Sequence, residues 1–132
     1  MVELPARIKD MLGRPETVKV LTTTGSDGQP HGIICGSIFV LDAETLAVGE
    51  VYLMRTKKNL SENPKAAIIA TYGPEAYNIE VTATERVCEG PALDALNERL
   101  SKINLSARAF WKFRVEAVYD EGLVAHAGKQ VA

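Results

Sequence analysis

The chain has 132 residues, a net charge of −2 and a pI of about 5.7, with 46% hydrophobic and 24% charged residues. That composition fits one globular domain, 1–132, and excludes a disordered chain. The acidic balance argues against a nucleic-acid surface, which normally carries a basic excess.

Residues 3–13 predict a short amphipathic helix. Leu4, Ile8, Met11 and Leu12 recur at helical spacing, Pro5 suits the first turn and Gly13 the end. Residues 17–24 predict a strand rich in β-branched side chains, ending in Thr22-Thr23-Thr24. Ser26-Asp27-Gly28-Gln29 is a turn, since Asp-Gly tolerates positive φ. A second strand is expected from His31 to Leu41, completing a hairpin, and a third from Leu46 to Met54 after the turn at 42–45. In the second strand, 32, 34, 36, 38 and 40 would share one face, with Gly32 and Gly36 marking a bend or the close approach of something flat.

A short helix is expected over 56–62, stopping at Asn63-Pro64, followed by a buried strand at 66–72. Residues 77–88 alternate as a strand. A helix begins at Pro91 with Leu93, Leu96, Leu100 and Ile103 as its stripe. The last strand runs from about Ala107 to Tyr119 with Trp111, Phe113, Val115, Ala117 and Tyr119 on one face, and the tail at 123–132 is weakly patterned. The sum is a mainly β domain of six strands and three short helices. Short hairpin connections imply mostly antiparallel pairing, and a closed or partly closed barrel manages the edges best.

The stretch from Val51 to Pro64 carries the chemistry. An apolar segment delivers Arg55, Thr56, Lys57 and Lys58 to the start of a helix. The first N–H groups of a helix lack intrahelical partners and bear the positive end of the dipole, so cations are unfavourable there unless an anion neutralises them. A bound phosphate would do so. Cys35 and Cys88 are far apart and form no CxxC pair, and neither they nor His31 and His126 show metal-ligand spacing. Free thiols and the lack of a signal-type apolar run lead to the expectation of a soluble cytoplasmic protein. No Ser/His/Asp constellation or GxGxxG loop occurs.

The order of these pieces resembles the pyridoxamine 5′-phosphate oxidase-like family of FMN-binding split β-barrels, above all its short bacterial FMN-binding members. The resemblance rests on the Gly28-Gln29-Pro30-His31 hairpin and the later Arg55-Thr56-Lys57-Lys58-Asn59-Leu60 segment leading to Asn63-Pro64. It implies a homodimer with FMN at the subunit interface. It also implies Arg55 and Thr56 at the FMN phosphate with Lys57 assisting, and Leu53 beside the phosphate and ribityl chain. Ile34, Cys35 and Gly36 would lie along the flavin ring, and Trp111 near the dimer interface. Two activities follow as alternatives: an FMN-dependent oxidoreductase, or an electron-transfer or flavin-storage protein. Other relatives bind a deazaflavin or haem. The family's oxidases carry an Arg-Lys pair where this chain has Arg55-Thr56, and a C-terminal substrate-binding segment that it lacks, so pyridoxamine phosphate oxidation is not implied.

Overall fold

A computed structural model describes residues 2–132. In chain order the elements are α1 (Ala6–Leu12), β1 (Val18–Thr24), β2 (Pro30–Ile34), β3 (Ile38–Asp42), β4 (Thr45–Gly49), α2 (Met54–Glu62), β5 (Lys65–Tyr72), β6 (Glu75–Val87), α3 (Pro91–Ser101) and β7 (Phe110–Asp120). The strands form one antiparallel seven-stranded sheet in the order β2-β1-β5-β6-β7-β4-β3.

The expected strand at 31–41 is therefore two strands, which raises the count from six to seven. Its halves lie at opposite edges of the sheet. β2 pairs with β1, and Cys35 still donates its N–H to the Lys19 carbonyl at 2.9 Å. Two residues later the chain has changed partner: the Ser37 carbonyl accepts from Gly49 N–H at 3.0 Å, and β3 continues on β4. The link at 35–37 thus joins the two edges without a β2–β3 ladder, leaving a split barrel. It also breaks the single face expected for 32–40, because Ile34 is exposed while Cys35 and Ile38 are buried.

Inside the barrel, Leu21, Ile68, Ile79, Phe113, Val115 and Val118 form the core with Leu4, Ile8 and Leu12 from α1. The expected face of the last strand holds from Trp111 to Val115. There the ladder register shifts between the pairs Val81–Val115 and Glu80–Ala117, so Val118, not Tyr119, continues the core. A second apolar cluster lies outside the barrel, where Leu93, Leu96 and Leu100 of α3 meet Ala47 and Phe110. β4 is consequently buried on both faces, which accounts for its unbroken apolar run. Gly49 suits this packing, since a Cβ there would crowd its neighbours, 3.0 Å from Leu96 Cδ2 and 3.2 Å from Ser37 Cβ. The tail folds back on β7 through Val131 N–H to Val118 O at 2.8 Å. Among the described residues no helix is long and apolar enough to cross a membrane.

Candidate functional site

The third strand ends earlier than its apolar composition suggests. β4 stops at Gly49, Tyr52 takes a left-handed conformation at φ 55°, and α2 begins at Met54, two residues before the expected start. A non-glycine residue at positive φ is uncommon and reverses the chain sharply here. Leu53 becomes the residue before the helix, and no side chain caps the helix start. The first helical bond runs from Lys57 N–H to Leu53 O at 2.7 Å, so the amides of Met54, Arg55 and Thr56 have no helical acceptor.

Beside this turn lies a cleft of about 440 Å³. One wall is Ile33 to Ser37, the second is Val51 to Leu53, and Leu100, Ile103 and Leu105 at the end of α3 close the third. The structure thus brings Ile34, Cys35, Gly36 and Leu53 together. A Cβ added at Gly36 would meet nothing within 4 Å, so packing does not require this glycine. Its N–H has no hydrogen-bond partner among the described residues and remains available to a ligand. Cys35 is buried, with Sγ 3.5 Å from the Ser37 hydroxyl, which itself donates to the Gly49 carbonyl at 3.0 Å.

The basic residues separate into different roles. Arg55 is exposed and makes no ion pair among the described residues. Thr56 is buried, and its Oγ1 has no hydrogen-bond partner among the described residues. Lys57 is engaged: its Nζ lies 3.4 Å from Glu50 Oε1. Glu50, just beyond β4, also takes a two-pronged contact from Arg86, with Nε 2.7 Å from Oε2 and Nη2 3.2 Å from Oε1. Burial alone would push the Glu50 carboxyl up; the Arg86 fork and then Lys57 outweigh it and hold the group below the ordinary carboxylate range. Trp111 lies away from the cleft walls, in β7 opposite Val48 and Arg86, packed on the barrel core with Nε1 buried and without a hydrogen-bond partner among the described residues.

Three parts of the site were not anticipated. Glu50 and Arg86 are 36 residues apart, so their pairing has no local signature. A lone acid between an apolar strand and a basic run was the available hint. The expected stripe of α3 stops at Leu100: Ile103 lies past the helix and is 63% exposed at the cleft. Tyr52 and Met54 are each 87% exposed, and Ile34 is 77% exposed. Together these four give the region an uncovered apolar surface of a kind that usually meets a ligand or partner.

The chain matches the pyridoxamine 5′-phosphate oxidase family over residues 4–122. It belongs to that family. Among solved structures it is similar to HupZ of Group A Streptococcus, at 22% identity and a TM-score of 0.80, covering 95% of this chain and 99% of that one. It is similar to an FMN-binding protein from Syntrophomonas wolfei at 14% identity and a TM-score of 0.78, over 88% of this chain and 84% of that one. An F420 reductase aligns at 19% identity and a TM-score of 0.68, over 87% and 98%. At these identities the likeness establishes the fold, and function has to be argued from the site. No curated protein matches the chain.

Proposed function

We propose that this protein is an FMN-binding flavoprotein. The observation that carries the reading is an apolar cleft, floored by the open backbone at Gly36, beside the unpartnered amides of α2 and the unpaired Arg55. A flat apolar ring and a phosphate on one molecule match those two halves. Arg55 would hold the phosphate through its fork of donors, and the Met54–Thr56 amides and the Thr56 hydroxyl would add hydrogen bonds. Lys57 would act at longer range, because Glu50 already claims it. Ile34, Cys35, Gly36 and Leu53 would bed the ring and exclude water from it.

A homodimer suits this arrangement. A second copy would cover Ile34, Tyr52, Met54 and Ile103, complete the cofactor site, and bring its own Trp111 nearer the ring. The ring, when bound, supplies the hydride or electron chemistry of an oxidoreductase. The cleft walls include no carboxylate, histidine, lysine or arginine, which also suits the second reading, an electron carrier or flavin store. Turnover with a nicotinamide donor and an electron acceptor separates the two: sustained donor oxidation supports the oxidoreductase, and a flavin that stays oxidised with every donor supports the store. The visible spectrum of the purified protein tests the cofactor itself. Flavin absorption bands are expected, and a deazaflavin or haem spectrum would overturn FMN.

A further inference from the structure

A second cavity, of about 700 Å³, opens on the other side of the 35–37 link, between the end of α1, β1, β3 and α3. Gly36 belongs to the walls of both this cavity and the apolar cleft. Among the described residues four cations line it, Lys9, Arg14, Lys19 and Arg99, and no carboxylate does.

The four differ in how far the fold accounts for them. Lys9 and Arg14 flank the C-terminal end of α1, where the helix dipole favours cations, and Arg14 also pairs with Asp10 at 2.9 Å. Arg99 stacks over the Phe39 ring, 5.3 Å from its centroid. Lys19 has no such compensation. It sits on the inward face of β1 between buried Thr17 and Leu21, is only 8% exposed, and makes no side-chain hydrogen bond or ion pair among the described residues. A lysine so buried is almost always paired, because removing an ammonium from water without a counter-charge is costly. A lysine can also bury its stem and keep its head in water with no ligand. Here, however, it lines a cavity that already concentrates positive charge, and Phe39, Ile38 and Leu12 add apolar wall. A volume of this size accommodates a small molecule.

We infer that this cavity binds a small molecule through a phosphate or carboxylate group held between Lys19 and Arg99. The site stands apart from the α2 start and does not depend on what occupies the cleft.

The test is a titration of the purified chain with inorganic phosphate and, separately, with succinate, followed by backbone amide NMR shifts. At least one anion should give saturable shifts at residues 9–19 and 36–40. Lys19→Met should weaken that binding roughly tenfold or more while remaining folded by its own spectrum, and Lys19→Arg should restore most of it, on the scale of one charge-assisted hydrogen bond. Arg99→Gln gives an independent second variant with a loss in the same direction. The anion that saturates identifies the class. Shifts confined to residues 53–57, no saturation with either anion at millimolar concentration, or binding unchanged in both Lys19→Met and Arg99→Gln would each overturn the inference.

Discussion

Glu50 and Lys19 are both charged and both buried, yet the fold treats them oppositely. Glu50 receives the two-pronged Arg86 guanidinium and the Lys57 ammonium. The Lys19 ammonium has no hydrogen bond or ion pair among the described residues. A buried charge with its partners built in belongs to the framework, and removing one member strands the others. A buried charge without partners costs the folded state and is explained best by something that arrives later. The difference separates a cation cluster that holds the α2 start in place from one that is open to an anion.

The comparison can be broken most directly at Glu50. Glu50→Gln should destabilise the protein by roughly 2–3 kcal/mol, measured by urea unfolding, because Arg86 and Lys57 lose their shared counter-charge. A loss below about 0.5 kcal/mol, the scale of an ordinary surface change, would show that the network is incidental. Its pH dependence has a definite sign. The Glu50 carboxyl is held below its ordinary value of 4.5 when folded, so its contribution is present above that pH and fades as pH falls below it.

A surface carboxylate sharpens the contrast at smaller amplitude. Glu75 accepts from Arg7 Nε at 3.0 Å and from the Tyr77 hydroxyl at 2.8 Å, tying α1 to β6. The Arg7 hydrogen bond holds the Glu75 carboxyl down to about 2, and burial beside Glu75 pushes the Tyr77 hydroxyl up to about 12. Arg7 and Glu75 are part-exposed, so solvent screens them, and Glu75→Gln should cost only about 1 kcal/mol. That cost should be full above pH 4.5 and disappear toward pH 2 in acid-unfolding curves. A pH-independent effect would assign it to packing. The smallest stability effect is expected at Lys19. In the absence of anion, Lys19→Met should leave the thermal midpoint unchanged or raise it, since an uncompensated ammonium is replaced by an apolar side chain. A clear drop would mean that the fold does satisfy Lys19.

Most of the architecture could be read from the sequence because hydrophobic periodicity and turn chemistry are local. The 17–24 strand, the β6 strand and the proline-led α3 all appear close to where alternation and punctuation put them. The failures share a cause: apolar composition continues across a change of partner. Ile33 to Val40 keeps its apolar character while the chain passes from β1 to β4, and Val51 to Met54 stays largely apolar while the backbone turns into α2. Lys19 was hidden for a related reason. Hydropathy favours Val18 and Val20 as the inward pair, but pairing with β5 turns Lys19, Leu21 and Thr23 inward and leaves Val18 44% exposed. Of the residues singled out from the sequence, Ile34 to Gly36 and Leu53 lie together in the walls of the cleft. The side chains of Leu100, Ile103 and Leu105 that close it, and the Arg86 that shares Glu50 with Lys57, come from segments too distant for any spacing rule to connect.

The central claim, that α2 holds the phosphate of a flavin, is tested most directly by comparing FMN with riboflavin. Their dissociation constants are measured by flavin fluorescence for the wild-type chain and for Arg55→Ala. FMN should bind at least about tenfold more tightly than riboflavin to the wild type, and Arg55→Ala should weaken FMN by about 1.5–3 kcal/mol while leaving riboflavin nearly unchanged. Equal affinities for the two flavins in the wild type, or an FMN preference that survives the loss of Arg55 intact, would contradict the account.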